Sequence, residues 1–390
     1  MRFLVNPGEQ GILNTAGDRM PVGLLYIARK WGNTRVYDLN HTRLMDMVND
    51  VRILRPEIIG VSCLTSPMVS QAQDIVRNVQ GLGARIVVGG YHPTVMPQDF
   101  SLADCVIRGE GEEVTEFKHF FQEPKVTNLK GLTPNRKLLD PRAYNMQIEG
   151  LRSATAITSR GCPNSCTFCG NPNKRVRYHE LSDVANDLEE VKRQGYKAVY
   201  FLDDVFTLDK IRAKAIGSMA QKIGLKYRVT TRANYTDEDL IGSLASTGCI
   251  CLSMGVESGN DAILQTVGKH QTKDQIREAT RLAGKYKIPV KGFFIIGLPG
   301  ETEKTANETI EFSKELGSLG MKTADFYSLI PYPGTDIWTN PEKHKVNIVD
   351  RNYTHYLQAS RSEPFVPVET YHLGQERIKQ LIMEARKVWA

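Results

Sequence analysis

Two runs of alternating strand and helix signals, separated by a stretch without periodicity, limit what this chain of 390 residues can fold into. The first run carries short apolar segments rich in Val and Ile: RFLVN (2–6), TRVYDLN (34–40), IIGVSCL (58–64), RIVVGGY (85–91) and CVIRGE (105–110). Most end at Gly, Pro or Asn, as strands do where the chain must turn. Between them lie the helical patterns PVGLLYIARKW, RLMDMVNDVRIL and SQAQDIVRNVQGL, and a shorter turn, PQDFSLA. The second run resumes at ATAITS (154–159) and continues through AVYFLDD (198–204), YRVTTRAN (227–234), CICLSMGVES (249–258), VKGFFIIGL (290–298) and ADFYSLI (324–330). Helices are expected near 182–194, 209–223, 237–247, 273–286 and 303–318, several opened by Asp or Thr in LSDVAND, YTDEDL and QTKDQI, where a side-chain oxygen can cap the first N–H groups.

Strands apolar on both faces and alternating with helices belong to parallel sheets covered on both sides. The expected fold class is therefore α/β. A flavodoxin-like (Rossmann-type) sheet over 1–125 is followed by an open (β/α)6 partial TIM barrel over 153–333 and a short C-terminal extension over 334–390. Six β/α units are too few to close an eight-strand barrel. Residues 126–152 read as a linker, because the periodicity fails from about 118 onward amid Pro, Asn and Lys, and the extension ends in an amphipathic helix near 374–389.

Apolar residues at 41% and charged residues at 24% describe an ordinary globular protein. A net charge of +6, spread over this length, reads as a solvated surface and not as a nucleic-acid footprint, so nucleic acid is not an expected partner. No apolar run is long enough to span a membrane, and MRFLVNPG lacks the pattern of a signal peptide, so a cytoplasmic protein is expected. Seven cysteines without a secretory signal argue against a disulfide framework. Cys63, Cys105, Cys249 and Cys251 read as small core residues on strands.

The other three cysteines, Cys162, Cys166 and Cys169, crowd into SRGCPNSCTFCG directly after the first barrel strand, at the end where barrels place their chemistry. Thiolates are soft ligands for zinc or iron–sulfur clusters. A structural zinc wants a fourth Cys or His, and His179 is the nearby candidate, but no second CxxC pair exists. A [4Fe–4S] cluster held by three cysteines leaves one iron open to an amino-carboxylate, and the spacing favours that reading. In the first run, four loops share the carboxyl edge of the expected sheet: NPGEQG from Asn6, TSP with Thr65 and Ser66 after Leu64, GGYHPT with Gly89, Gly90 and His92, and GEGEE with Gly109 and Glu110. Such loops suit a ligand, and paired glycines would let a bulky group approach the backbone.

The CxxxCxxC spacing, with Phe168 before the last cysteine, resembles the signature of the radical S-adenosylmethionine enzymes. The resemblance extends to FLDD, TTRAN, MGVESG, GFFIIGLPGET and PYPGT at the ends of successive strands. It implies that Asp203 or Asp204 holds the methionine ammonium, that Glu257 lies near the ribose or the methionyl carboxylate, and that the backbone around Gly297 pairs with adenine. Phe168 and Arg232 join the same S-adenosylmethionine site. The first domain, through PVGLLYIA, GVSCLTS, VGGYHPT and IRGEGEE, resembles the cobalamin-binding class of these enzymes. That resemblance implies a corrin on the carboxyl edge, its tail running past Gly89, Gly90 and His92, with Leu64, Thr65 and Ser66 under the ring and Asn6, Gly109 and Glu110 as further contacts. The chain departs from the DxHxxG motif of base-off cobalamin proteins: DLNHTRL places Asp38 and His41 at another spacing, and His41 reads as a loop or helix-start residue.

The chemistry so implied is one-electron cleavage of S-adenosylmethionine to a 5′-deoxyadenosyl radical, followed by cobalamin-dependent methyl transfer to an unactivated carbon or phosphorus centre of a metabolite, lipid or peptide. Cyclisation, ring contraction or RNA modification, with or without cobalamin, are the alternatives within the same architecture. Methylthiotransferase activity would want a further cysteine triplet, which the sequence lacks. A non-catalytic regulator would tolerate loss of FLDD and GVES, and both are present. An external electron donor such as flavodoxin or ferredoxin is implied as a partner. Tyr327, Tyr332 and Tyr353 read as packing residues before radical-quenching donors.

Overall fold

The computed structural model describes residues 1–8, 19–114, 116, 117, 121, 122, 126, 128–356 and 363–389. Residues Glu9, Gln10 and Gly11 of the first candidate loop, and parts of the expected linker, lie outside the described residues. The chain divides into two compact units, Met1–Met146 with Asn352–Ala359, and Gln147–Arg351 with Ser360–Ala390. Most of the stretch expected as a linker is counted with the first unit: Tyr144 is in its core beside Leu138 and Leu139, and Asn135 N–H donates to the Leu25 carbonyl. Aperiodic segments can still carry the apolar residues that seal a sheet's flank.

In the first unit β1 (Arg2–Asn6), α1 (Val22–Trp31), β2 (Thr34–Asp38), α2 (Leu44–Leu54), β3 (Ile58–Ser62), α3 (Val69–Val79), β4 (Arg85–Gly89), α4 (Tyr91–Val95), β5 (Cys105–Ile107) and β6 (Phe121–Gln122) follow in order. The sheet runs β2-β1-β3-β4-β5-β6 and is parallel throughout. The first five strands have flavodoxin-like order, and the sixth, two residues long, is too short to leave a periodic trace in the sequence. Alternation along β1 serves two cores, Phe3 and Val5 packing into one and Leu4 into the other. The chain leaves β1 toward β2 on one side and β3 on the other, the kind of switch point that opens a ligand crevice.

The second unit opens with β7 (Gln147–Ile148), which turns back antiparallel onto β8 (Leu151–Ala156). There follow β9 (Ser159–Arg160), β10 (Arg177–Tyr178), α5 (Leu181–Arg193), β11 (Ala198–Phe201), α6 (Lys210–Ile223), β12 (Lys226–Thr231), α7 (Glu238–Thr247), β13 (Cys249–Glu257), α8 (Asp261–Thr266), α9 (Lys273–Lys285), β14 (Val290–Ile296), α10 (Glu303–Ser318) and β15 (Met321–Ser328). The sheet order β15-β14-β13-β12-β11-β8-β7 contains six parallel strands and does not close on itself. Along β14, Val290, Phe294 and Ile296 enter the large core shared with the helices, while Lys291, Phe293 and Ile295 point to the other face and are only partly buried. Thr272 and Thr302 cap α9 and α10 with reciprocal capping boxes, and Asp237 caps α7; α5 starts at Glu180 without a side-chain cap. The tail holds α11 (Asp336–Thr339), an antiparallel pair β16 (Val346–Ile348) and β17 (Val368–Thr370), and α12 (Gln375–Val388), whose Ile378, Leu381, Ile382 and Ala385 complete the core. Among the described residues no helix is long and apolar enough to cross a membrane.

Candidate functional site

Strands β9 and β10 pair through Ser159–Tyr178 and Arg160–Arg177, and so close the base of the loop that carries the three cysteines. Cys162 is half-buried, Cys166 buried and Cys169 exposed. The loop is tied to its own return, where Cys162 N–H donates to Asn173 O at 2.9 Å. It is also tied to the segment after α8, where Thr167 N–H donates to Val267 O at 3.0 Å and Cys166 Sγ lies 3.5 Å from Gly268 O. The surrounding protein raises the Cys169 thiol above its ordinary value, and the nearness of Cys166 and Cys162 adds to the rise, so the three sulfurs share one electrostatic neighbourhood. Among the described residues no three His, Cys, Asp or Glu side chains form a ready cage for a bare ion. His179 is buried beside β8's exit, where its N–H donates to Thr158 O and its own carbonyl accepts from Arg212 Nη2.

The two aspartates of FLDD separate into distinct roles. Asp203 is fully enclosed and accepts from Thr158 N–H at 2.7 Å, Thr158 Oγ1 at 2.5 Å and Ser159 Oγ at 2.6 Å. Burial pushes its carboxyl up, and these donors work against that rise. Its oxygens are thus engaged in holding the strand that leads into the cysteine loop. Asp204 is exposed and accepts from Gly161 N–H at 3.0 Å and from the Asn171 side chain, both within the cysteine loop.

Arg232, at the end of β12, is buried at 5% exposure with Nη1 3.3 Å from Cys166 Sγ, and its Nη2 has no partner among the described residues. A buried guanidinium with an idle donor costs the desolvation of that N–H, and a ligand carboxylate would recover it. Glu257 ends β13 in the left-handed region, at φ +68, after a register shift between Gly255 and Glu257. Strain of this kind in a charged residue is found where the surroundings hold it for a purpose. Its carboxylate meets Lys269 Nζ at 2.6 Å, both side chains buried. A Cβ at Gly255 would fall 2.4 Å from Glu257 Oε1 and 2.7 Å from Lys269 Nζ, so a larger residue there would push the ends of this pair aside. Gln271 joins the strand ends, donating to Gly255 O at 2.8 Å and accepting from Ala233 N–H at 3.3 Å. Lys269 and Gln271 escaped the sequence reading because they lie in a loop without pattern, twelve and fourteen residues beyond Glu257.

Gly297 N–H donates to Glu301 Oε2 at 2.6 Å, and Leu298 N–H reaches the same oxygen at 3.3 Å. Glu301 is fully buried, its Oε1 has no partner among the described residues, and burial pushes its carboxyl up to about 8. It fixes the turn after β14, a role the motif GFFIIGLPGET could have suggested. Phe168 is partly buried and packs against the apolar cluster that includes Ile263, Leu298 and Ile337, so its ring supports the loop as packing.

The candidates of the first unit divide by exposure. Leu64, at 48%, and Thr65 stand out from the edge after β3. Gly109 is exposed and Glu110 partly so. Ser66 and His92 are fully buried behind that edge. Asn6 is buried too, with Nδ2 donating to Asp38 Oδ1 at 3.1 Å. Gly90, at φ +121, is required by the fold itself: a Cβ there would fall 2.5 Å from the Cys63 carbonyl. Gly89 would meet only Ile107, at 3.5 Å, which is ordinary contact. His41 lies in the turn after β2 with its ring edge-on to Tyr144. Cys63, Cys105, Cys249 and Cys251 are buried, and burial pushes Cys249 to about 12, the state of an inert core thiol.

The radical SAM superfamily model matches residues 156–313, and the B12 binding domain model matches residues 11–117. An uncharacterized methyltransferase of Pyrococcus horikoshii is 28% identical over 98% of this chain and 90% of its own length. The bacteriochlorophyllide d C-12(1)-methyltransferase of Chlorobaculum tepidum is 28% identical over 65% of this chain and 59% of its own. In fold the chain is similar to TsrM of Kitasatospora setae, a radical S-adenosylmethionine methyltransferase seen with cobalamin and a [4Fe–4S] cluster, at a TM-score of 0.78 and 17% identity, covering 99% of this chain and 88% of that one.

Proposed function

The chain belongs to the cobalamin-binding radical S-adenosylmethionine enzymes, and from that premise we propose that it transfers a methyl group to an unactivated carbon or phosphorus centre of a small metabolite, lipid or peptide. Cys162, Cys166 and Cys169 would hold the cluster. Arg232, Glu257 with Lys269, and Asp204 would take the charged ends of S-adenosylmethionine, and the turn at Gly297 its base. Leu64, Thr65, Gly109 and Glu110 would meet the corrin. When bound, the cluster and S-adenosylmethionine supply a carbon-centred radical, and cobalamin supplies the methyl group.

The observation that carries this reading is Arg232. Its Nη1 is held against a cluster-ligand cysteine, while Nη2 is buried and idle, ready for a carboxylate. Arg232 and Lys269 place positive charge beside the loop, and Glu257 balances it, so a zwitterionic ligand can enter without leaving a buried charge unpaired. Asp203 and Arg212 hold the loop's entry strand from behind, Arg212 Nη2 donating to Thr158 O at 3.1 Å and to His179 O at 2.6 Å, which keeps the cysteines in register with these charges. Seven free thiols suit the reducing cytoplasm, and a flavodoxin or ferredoxin would serve as electron donor.

Anaerobic incubation of the reconstituted protein with reductant, hydroxocobalamin and S-adenosylmethionine carrying a deuterated methyl group tests the proposal. Both 5′-deoxyadenosine and S-adenosylhomocysteine are expected. Formation of 5′-deoxyadenosine alone would overturn methyl transfer and favour cyclisation or another radical outcome.

A further inference from the structure

Two of the residues expected to touch the corrin, Ser66 and His92, are instead fully buried behind the edge that Leu64 and Thr65 expose. His92 Nδ1 lies 2.9 Å from Ser66 Oγ, and His92 Nε2 lies 2.8 Å from Asp99 Oδ2. The same carboxylate oxygen accepts from the Tyr353 hydroxyl, and the Tyr353 ring lies 5.0 Å from that of His92. Nε2 of the ring thus faces the Asp99 carboxylate, and Nδ1 faces the Ser66 hydroxyl. Both ring nitrogens are therefore engaged within the protein, and neither is available to cobalt. Ser66 begins the short turn Ser66–Met68 directly after Leu64 and Thr65, and Met68 N–H closes that turn on Thr65 O at 3.0 Å. The turn Tyr353–His355 packs on it. Tyr353 lies 254 positions from Asp99 in the chain, yet Asn352–Ala359 is counted with the first unit.

We propose that Tyr353 is a positioning residue of the cobalamin site: through Asp99, His92 and Ser66 it latches the C-terminal segment around 352–356 onto the loop that presents Leu64 and Thr65 to the corrin. The inference rests on the cobalamin reading above. A latch couples two events, so corrin binding must tighten the seating of 352–356 as much as that seating favours corrin binding.

The test compares the full-length protein with Tyr353→Phe, using hydroxocobalamin as the probe. Corrin affinity is measured by equilibrium dialysis, and amide hydrogen exchange is followed at 64–68 and 352–356 with and without corrin. The variant is expected to bind hydroxocobalamin about tenfold more weakly, the weight of one hydrogen bond to a charged acceptor. Iron content after reconstitution should be unchanged. Corrin should slow exchange at 352–356 in the wild type and lose that effect in the variant. If Tyr353→Phe fails to fold, Asp99→Asn replaces it, and the exchange result on the wild type still decides. Unchanged affinity in a folded variant, or no protection of 352–356 by bound corrin, would overturn the latch and leave cobalamin binding standing. A wild type that binds no hydroxocobalamin would overturn both.

Discussion

The carboxyl edges of the two sheets use their polar residues in opposite ways. At the first sheet Asn6, Ser66 and His92 turn inward to hydrogen-bond within the protein, and an apolar Leu64 with Thr65 is left on the surface. At the barrel Arg232, Glu257 and Lys269 are themselves buried: Glu257 pairs with Lys269 from a left-handed backbone angle, and Arg232 keeps an idle Nη2. The first arrangement suits a broad ligand held by surface contact, for which the protein needs a rigid ledge. The second suits a small ionic ligand whose charges must find fixed partners in a poorly solvated place. Rigidity is built behind the first site, and unsatisfied charge is built into the second.

The largest expected effect separates the two edges outright. Cys166→Ala should abolish cluster assembly and all cleavage of S-adenosylmethionine, measured as iron per chain and 5′-deoxyadenosine, while hydroxocobalamin affinity is retained; loss of both would mean that the two edges do not act separately. Next, Arg232→Met should keep the iron but weaken S-adenosylmethionine binding by about 30-fold or more, the scale of one charge-assisted hydrogen bond of roughly 2–3 kcal/mol. Isothermal titration with the cluster in place would check this, and unchanged affinity would remove Arg232 from the site.

A third prediction concerns pH. Glu301 is raised to about 8 by burial, so its neutral form is the one that the fold favours. Stability from this group is complete below its ordinary value near 4.5 and is lost as pH rises through 8, about 1 kcal/mol of the loss falling between pH 7 and 9. Glu301→Gln keeps an acceptor for the Gly297 and Leu298 N–H groups and should flatten that alkaline decline in urea unfolding of the barrel. A decline of equal slope in the variant would show that Glu301 does not titrate there. The smallest effect belongs to the ledge: Leu64→Ser should weaken hydroxocobalamin binding about five- to tenfold, from roughly 1 kcal/mol of lost apolar burial, without moving the melting temperature.

Much of this arrangement was legible in the sequence, and what was hidden shares a physical reason. The order of strands and helices could be read because apolar periodicity is local: α10 runs over the expected 303–318, and the six barrel strands follow in the expected order. Strand ends were read too long at the carboxyl side, since FLDD and GVES look like strand until their side chains are seen to turn toward neighbours. β8 and β15 begin three residues earlier than expected, because Arg152, Ser153, Lys322 and Thr323 mask strand starts that only pairing reveals. The cysteine triplet was visible because its meaning lies in spacing alone. Which aspartate of FLDD faces outward, why Gly90 must be glycine, and that Lys269 meets Glu257 all depend on contacts between segments distant in sequence. Tyr353 is the extreme case: nothing near it in the chain points to His92.

The central claim, that one edge carries a cluster and the other a corrin, is tested most directly by a single spectrum. The protein is reconstituted anaerobically with iron and sulfide, incubated with hydroxocobalamin, desalted, and its absorbance recorded. Corrin bands near one per chain, superposed on the broad absorption of an iron–sulfur cluster, are the predicted result. A cluster spectrum without corrin, or corrin without a cluster, would contradict the claim and reduce the protein to one working edge.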